Sequence, residues 1–346
     1  MLIREGTEVE PTIGILSSAC YLPPTTKLVT EVFRDEKIPD VSLAANVDFW
    51  NDVGIDKVHL GGDESPSDLG LKAARQALEK AQIDPQEIDL IVDFTSITED
   101  FVAPTWSAAG RVQSELKATR ALAIAVNTGG CASFHIALKY ACAQMSANPR
   151  YCHALLFAGD KTPALNKTYY PITITCDGGS ATVLKRNHPR QQILSVEVAT
   201  LGELHDVWFV PGLGGRRPDE PVSEELLYMR SDMDRFKDGV IKINLFMFRK
   251  VMRAALKRIG LGMQDVRYYI YPSFSTWDQH SFCKGLKIDP QTVYTKGLAR
   301  HGHLQENDMI MNYLDAIEEG FIREGDLIMV TTNGAGFNWG AAVIRY

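Results

Sequence analysis

The hydrophobic positions of the chain follow two spacings, one typical of amphipathic helices and one typical of buried strands. Ser67 precedes a set of apolar side chains that share one helical face, so we predict a helix that Ser67 caps and that ends near Ala81. The same spacing predicts helices over 132–145 and 245–259. Short apolar runs predict buried strands over 12–16, 88–92, 120–126, 154–158 and 181–184. Helices that alternate with buried strands indicate an α/β fold with largely covered sheets.

Two segments of the chain repeat one pattern at the same spacing. Residues 77–92 and residues 255–270 each contain a helix end, a short acidic turn and a strand, without a gap between matching positions. Each half also has a later glycine-bearing turn before a helix, one with Cys131 and one with His303. Two α/β units can look alike by chance, but we favour an internal duplication. Two halves around a pseudo-twofold axis would bring Cys131 and His303 together at the centre.

Composition and charge exclude several classes of protein. The chain has 346 residues, 45% of them hydrophobic, and a net charge of −7. This acidic balance argues against binding of nucleic acid and gives no reason to expect an anionic membrane surface as a partner. No apolar run reaches the ~20 residues of a membrane helix, and the first ten residues do not resemble a signal peptide. We therefore expect a cytoplasmic protein.

The six cysteines are scattered along the chain, with no Cys-x-x-Cys pair. In a reducing compartment such thiols stay free. No two of them have the spacing of a zinc site, so we expect no metal.

Three motifs together resemble ketoacyl synthase III over nearly the whole chain. Residues 130–134, Gly-Cys-Ala-Ser-Phe, are similar to the nucleophile turn of that family. Residues 176–181 resemble its glycine turn before a core strand, and residues 333–342, Asn-Gly-Ala-Gly-Phe-Asn-Trp-Gly-Ala-Ala, resemble its C-terminal glycine loop and last strand. The last motif is the most specific, because glycine, aromatic and small residues all fall in order. The cysteine turn alone would also fit a buried structural thiol.

The resemblance implies a thiolase fold, with two similar βαβαβαββ halves in five layers, α-β-α-β-α. We expect an N-terminal half over 1–185 that carries the nucleophilic cysteine. The C-terminal half over 186–346 then carries the serine and histidine loops and the glycine-rich loop. The family also implies a homodimer and a ping-pong reaction through an acyl group on Cys131. It needs no cofactor besides the acyl thioester substrate.

The sequence departs from the family at two catalytic positions. Ser273 stands where the family has a histidine, and His303 stands where it has an asparagine. In the family these two residues donate hydrogen bonds to the enolate that forms when a malonyl unit loses CO2. A short neutral serine cannot reproduce an imidazole donor, so we expect condensation to be impaired.

Acyl transfer to a thiol or hydroxyl places fewer demands on the catalytic residues than condensation does. It needs a thiolate, an oxyanion hole and a base for the acceptor. Cys131 begins a helix, whose N-terminus favours the thiolate, and its amide can form the oxyanion hole with the amide of Ala335 or Gly336. His303 is the candidate base, with a surface-loop histidine as the alternative. Ser273 is a candidate to orient His303 or relay a proton. Alternatively, the serine replaces the family's histidine and has no catalytic role.

A further departure concerns the acyl donor. Asp52 stands where the coenzyme A entrance of the family has an arginine, and an acid repels phosphate. A carrier-protein donor therefore becomes more attractive than coenzyme A, although Arg216, Arg217 and Arg230 are alternative phosphate contacts.

Four aromatic residues are candidates for substrate binding. Trp50 and Trp106 are candidates for the acyl entrance, with core packing as an equal alternative, and Phe337 lies in the glycine loop. Phe101 begins the stretch 101–104, which resembles the family's dimer loop that reaches the partner's pocket.

These observations lead to one main hypothesis and two alternatives. The main hypothesis is an acyltransferase that resembles the branch of this family found in polyketide and other natural-product pathways. It would move an acyl group from an acyl carrier protein or coenzyme A to a carrier thiol or a hydroxyl group. The alternatives are a condensing enzyme with a rearranged site and a non-catalytic subunit of a condensing complex.

Overall fold

The computed structural model describes residues 11–36, 53–96, 100–101, 106–126, 129–162, 168–169, 173–212, 223 and 230–346. The strands are β1 (Ile13–Tyr21), β2 (Thr26–Leu28), β3 (Lys57–His59), β4 (Leu90–Asp93), β5 (Leu122–Ala125), β6 (His153–Asp160), β7 (Thr168–Tyr169), β8 (Thr173–Ile174), β9 (Gly178–Arg186), β10 (Gln192–Thr200), β11 (Trp208–Phe209), β12 (Arg230–Ser231), β13 (Tyr268–Ile270), β14 (Val293–Tyr294), β15 (Leu327–Gly334) and β16 (Asn338–Arg345).

The helices are α1 (Val29–Glu36), α2 (Pro66–Ala81), α3 (Ala108–Leu116), α4 (Ser133–Ala147), α5 (Lys242–Arg258), α6 (Thr276–Leu286), α7 (Gly297–His301) and α8 (Asp308–Glu318). A helical turn, Met233–Arg235, and a π-helical segment, Phe236–Ile241, lead into α5. Short 3₁₀ turns include Pro85–Glu87, Gly130–Ala132, Met263–Asp265 and Gln305–Asn307. Among the helices of the described ranges, none combines the length and the apolar character that a membrane crossing requires.

Counted from the centre of the main sheet outward, the strands of the first half of the chain and those of the second half follow the same order. Its order is β14-β13-β15-β16-β10-β1-β9-β6-β4-β5, with β10 and β1 paired in the middle. On each side the next two strands run antiparallel to their inner neighbours, and the outer two join in parallel. The two similar halves that the sequence predicts are confirmed. The predicted boundary between residues 185 and 186 falls just before the last residue of β9 and stays a prediction.

Three apolar clusters divide the molecule into five layers. In the central cluster, α4 and α8 pack between strands of the first half and strands of the second half. A second cluster packs α2 and α3 on the outer face of the first half's strands, and a third packs α5 and α6 on that of the second half. Successive residues of β4 alternate between the inner and outer clusters, because side chains of a strand point to opposite faces. The predicted layering, α-β-α-β-α, is confirmed.

The start of α2 differs from the prediction. Ser65, and not Ser67, is the N-cap: its side chain accepts from the amide of Asp68, and the Asp68 carboxylate accepts from the amide of Ser65. Ser67 lies inside the first turn, where its amide donates to Asp100 at 3.0 Å. Pro66 occupies the first helical position, which favours this start over the later one.

Candidate active site

The candidate nucleophile lies in the tight turn before α4. Cys131 is the middle residue of the 3₁₀ turn Gly130–Ala132, and α4 begins two residues later. Gly130 has a φ of +53°, and a Cβ atom there would lie 2.5 Å from the amide nitrogen of Ala335. Only glycine fits this position, because the chain both adopts a left-handed conformation and touches the C-terminal loop. The turn therefore fixes the thiol against residues from the other half.

His303 reaches the cysteine from the second half. Its backbone is held on both sides: its carbonyl accepts from the amide of Cys176 at 2.8 Å, and its amide donates to the carbonyl of Ile174 at 3.3 Å. The ring of Phe274 packs edge-on against the imidazole, with 4.7 Å between ring centroids. Nε2 of His303 lies 3.5 Å from Sγ of Cys131. The two glycine-bearing turns thus meet, as the internal repeat predicts.

Asp308 holds the other side of the imidazole. Its Oδ2 lies 2.6 Å from Nδ1 of His303, and both side chains are almost fully buried. The same carboxylate accepts from the amide of Ser273 at 2.7 Å and from the amide of Leu304 at 2.7 Å. A carboxylate at Nδ1 keeps the proton on that nitrogen and leaves Nε2 free to accept a proton from the thiol.

Ser273 does not contact the imidazole through its side chain. Its hydroxyl accepts from Nδ2 of Asn312 at 3.1 Å, and the same amide donates to the carbonyl of Tyr271 at 2.8 Å. Asp308, and not Ser273, makes the side-chain contact with Nδ1 of His303, and a catalytic role of Ser273 stays a prediction. Ser273 contributes its backbone amide to the Asp308 carboxylate instead.

The surroundings of Cys131 act against the thiolate. Burial raises the pKa of the Cys131 thiol well above its ordinary value, and the nearby carboxyl groups of Glu306, Asp308 and Asp160 raise it further. The thiolate expected at the helix N-terminus stays a prediction, because burial and these carboxyl groups oppose the effect of the helix dipole on the thiol. The cysteine needs the adjacent imidazole to remove its proton.

The C-terminal glycine loop lies directly against the nucleophile turn. A Cβ atom on Gly334 would lie 2.2 Å from the carbonyl oxygen of Gly129 and 2.4 Å from the amide nitrogen of Cys131. This close approach brings the backbone of Cys131 next to the segment that contains Ala335 and Gly336, both of them half-buried. The oxyanion hole formed by these amides stays a prediction.

The aromatic candidates have different surroundings. Phe337 is 2% exposed and packs on Trp208 with ring centroids 5.4 Å apart. Its ring is part of the cluster around α5 and α6, and binding of substrate by Phe337 stays a prediction. Phe101 is 65% exposed and meets the half-buried ring of Trp106 edge-on at 5.6 Å.

Several other predicted residues lie outside the described part of the chain. These are Trp50, Asp52, Arg216, Arg217 and residues 102–104. Arg230 lies in the short strand β12, which pairs with β11.

Sequence reasoning missed Asp308. The signal in the sequence is its position five residues after His303, in the first turn of a helix. An acid there is ordinarily explained by the helix dipole. Its role becomes visible only once the turn Gln305–Asn307 folds the carboxylate back onto the imidazole.

Two family models match the chain. Residues 126–202 match 3-oxoacyl-[acyl-carrier-protein (ACP)] synthase III, and residues 256–346 match the C-terminal part of the same family. The beta-ketoacyl-[acyl-carrier-protein] synthase III of Caldanaerobacter subterraneus subsp. tengcongensis is 30% identical over 349 residues, which cover 96% of this chain and 97% of that protein. The enzyme of the same name from Aquifex aeolicus is 26% identical over 339 residues, which cover 96% of this chain and 99% of that protein.

Solved structures with the same fold include proteins with different names. The Aquifex aeolicus synthase III has a TM-score of 0.77 at 21% identity, covering 96% of this chain and 100% of its own. ChlB3, described as an acyltransferase, has a TM-score of 0.78 at 22% identity, covering 97% of this chain and 98% of its own. OleA of Xanthomonas campestris, in a variant with one substitution, has a TM-score of 0.80 at 20% identity, covering 99% of this chain and 100% of its own. These likenesses confirm the thiolase fold.

Proposed function

The chain belongs to the 3-oxoacyl-[acyl-carrier-protein] synthase III family of enzymes, and we propose that within this family it is an acyltransferase that works through acyl-Cys131. The observation that carries the proposal is the series of contacts from Asp308 through His303 to Cys131, at 2.6 Å and 3.5 Å. A nucleophile, a base and a buried carboxylate in that order are the parts that acyl transfer requires.

The first half-reaction loads the cysteine. Nε2 of His303 takes the proton of the Cys131 thiol, and the sulfur attacks the carbonyl carbon of the donor thioester. The amide of Cys131 and the amide of Ala335 or Gly336 stabilise the oxyanion. The donor carbon–sulfur bond then breaks, and the leaving thiolate takes the proton from His303.

The second half-reaction releases the acyl group. The thiol or hydroxyl of the acceptor gives its proton to His303 and attacks the acyl carbon. The carbon–sulfur bond to Cys131 breaks, and the thiolate recovers the proton from the imidazolium. In both steps the Asp308 carboxylate stabilises the positive imidazole ring.

Condensation fits these contacts less well. Stabilising an enolate as CO2 leaves calls for two convergent donors. The hydroxyl of Ser273 is bonded to Asn312, and His303 is set up as a base by Asp308. We therefore propose that the rearranged site favours transfer over carbon–carbon bond formation.

The exposed face of α5 supports a carrier-protein donor. This helix contains six lysines and arginines and no acid, and Phe246 on its surface is 63% exposed. Asn244 of the same helix accepts from Asn333 at 3.1 Å and from Trp339 at 2.8 Å, next to the glycine loop of the site. An acidic carrier would find charge complementarity there. The pathway we propose is natural-product biosynthesis, on the resemblance to the acyltransferase branch.

Intact-mass spectrometry after incubation with acyl thioesters tests this function. We expect a single acyl adduct that is absent in Cys131→Ala. With a malonyl thioester added as extender, we expect no CO2 release. Release of CO2 with a β-ketoacyl product would instead establish a condensing enzyme. No adduct with any donor would favour a non-catalytic subunit.

A further inference from the structure

The turn between His303 and Asp308 contains a residue in an unusual backbone conformation. Gln305 has a φ of +57° and is buried. Residues other than glycine rarely adopt this left-handed region, because the Cβ atom then crowds the following carbonyl oxygen. Gln82 also has a positive φ, but it is exposed and ends α2, where a left-handed residue is common. Gln305 instead begins a buried 3₁₀ turn, so its conformation needs support from its surroundings.

A buried hydrogen bond fixes the side chain of Gln305. Its Nε2 donates to Oγ1 of Thr162 at 3.0 Å, and the amide of Thr162 donates to Oδ1 of Asp177 at 3.1 Å. Oδ2 of Asp177 accepts from the amide of Gly61 at 2.8 Å. The side chains of Thr162 and Asp177 are both buried. Gln305 is thereby tied to the glycine turn over 176–181, which takes no part in the reaction steps above.

The same glycine turn also holds the backbone of His303. The amide of Cys176 donates to the carbonyl of His303 at 2.8 Å. The chain is thus anchored at His303 and again at Gln305, with only Leu304 between them. From there the turn leads into α8, whose first residue faces back. Oδ1 of Asp308 accepts from the amide of Leu304 at 2.7 Å, and Oδ2 lies 2.6 Å from Nδ1 of the imidazole.

We propose that Gln305 is a positioning residue, whose hydrogen bond to Thr162 keeps the turn in its left-handed form. This form holds the Asp308 carboxylate on Nδ1 of His303. The catalytic consequence rests on the proposed acyl transfer, in which Nε2 must be free to accept a proton. Without the bond, Gln305 moves toward negative φ, the carboxylate leaves Nδ1, and the imidazole populates both tautomers.

The tautomer of His303 tests this role without any acyl chemistry. ¹⁵N NMR spectra of histidine-labelled protein at neutral pH show which ring nitrogen carries the proton, and comparison with His303→Gln assigns the signals. For wild type we expect the proton on Nδ1 alone. Gln305→Leu and Thr162→Val break the hydrogen bond from opposite ends, and in both we expect a mixture of the two tautomers. Thr162→Ser keeps the hydroxyl group and should keep the single form.

A matched control separates this effect from a general loss of stability. Gln82→Leu makes the same substitution at the left-handed glutamine that ends α2, and we expect the His303 signals to stay as in wild type. A purely structural role of Gln305 would lower the melting temperature and leave the tautomer unchanged. A folded Thr162→Val protein with the wild-type spectrum would therefore overturn the proposal. This variant decides even if Gln305→Leu does not fold, because it leaves the turn residue in place.

The rate of acyl loading then measures the catalytic effect. We expect Gln305→Leu and Thr162→Val to load Cys131 about tenfold more slowly, with an unchanged KM for the donor, because a displaced catalytic group costs rate and not binding. Wild-type rates in both variants would refute the positioning role. If wild type itself does not load, the proposed acyl transfer fails, whereas the spectra still show whether Gln305 sets the tautomer of His303.

Discussion

At the scale of single residues, Asp308 is predicted to set the proton position on His303. In Asp308→Asn an amide group replaces an acceptor oxygen, so Nδ1 of His303 loses its charged partner. We expect acyl transfer to fall by at least about 100-fold, because the imidazole adopts the wrong tautomer in part of the molecules. Steady-state rates with a loaded donor measure this effect.

The thermal unfolding of Asp308→Asn serves as its control. The same carboxylate accepts from the amides of Ser273 and Leu304, so we expect about 1–3 kcal/mol of stability to be lost as well. A folded Asp308→Asn protein with wild-type transfer rates would refute the role of Asp308.

Ser273 is predicted to be almost dispensable for transfer. Its hydroxyl bonds to Asn312 and not to His303, and its backbone amide remains in Ser273→Ala. We expect a change of only about twofold in rate and about 1 kcal/mol in stability. Comparison with Asp308→Asn under the same conditions distinguishes the two residues, and a large loss of rate in Ser273→Ala would restore the original catalytic assignment.

His135 is predicted to make stability depend on pH. It is fully buried on α4, and Nε2 lies 2.9 Å from the carbonyl oxygen of Val330. Burial lowers the pKa of His135 from 6.5 to about 4. Below pH 6.5 the unfolded chain takes up a proton that the folded chain refuses, so stability falls until the pH passes about 4.

Urea unfolding at several pH values measures the contribution of His135. We expect wild type to lose up to about 3 kcal/mol more than His135→Gln between neutral pH and pH 4. Gln is the matched variant, because its amide nitrogen can still reach the Val330 carbonyl. Parallel pH profiles for the two proteins would show that His135 does not titrate in this way.

Some residues of the site can be predicted from the sequence and others cannot. Cys131 and His303 stand in recognisable motifs, so their positions follow from the resemblance and the internal repeat. Asp308 does not stand out, because its contact with His303 depends on how the turn between them folds. Glu306 and Asp160 also raise the pKa of the Cys131 thiol, and these residues from other segments act on it only in the folded molecule.

At the scale of elements, the nucleophile turn and the C-terminal loop require glycine where they touch. In Gly334→Ala the new methyl group would meet backbone atoms of Gly129, Cys131 and Ala132. Backbone cannot move aside as a flexible side chain can, so we expect a loss of about 1–3 kcal/mol and loss of acyl loading. Gly202→Ala is the matched control, since a Cβ atom there has nothing within 4 Å. Equal stability and loading of the two variants would contradict this account.

The hydrophobic periodicity predicts which segments form helices and strands more accurately than it predicts where each of them begins and ends. The strand expected over 120–126 is β5, Leu122–Ala125, and the helix expected over 245–259 is α5, Lys242–Arg258. The start of α2 differs from its prediction because Ser65 and Ser67 are both good caps in isolation. The capping box with Asp68 decides between them.

At the scale of the whole molecule, the repeat explains the position of the site. Each half has an α-helix, an acidic 3₁₀ turn and a strand at matching places, α2 with β4 and α5 with β13. Because the sheet has the same order in both directions, equivalent turns of the two halves meet at its centre. Periodicity predicts such an arrangement, but pocket shape depends on side chains from distant segments and cannot be read from it.

The predicted homodimer also belongs to this scale. Strand β5 ends the sheet, and Leu122 on it is 48% exposed. An apolar strand at a sheet edge is a natural surface for pairing with a second copy. We expect sedimentation equilibrium to give twice the monomer mass of 38.4 kDa, and Leu122→Lys to shift the protein toward monomer. A monomeric wild-type protein would rule the dimer out.

The discharge of a preformed acyl enzyme tests the central claim most directly. Wild type is loaded from an acyl thioester, freed of donor and mixed with a thiol acceptor, and mass spectrometry follows both partners. We predict that the acyl group leaves Cys131 and appears on the acceptor, whereas His303→Ala, which loads slowly without its base and needs long incubation with excess donor, retains the acyl group. Equal discharge from both proteins, or an adduct that persists in Cys131→Ala, would contradict the account.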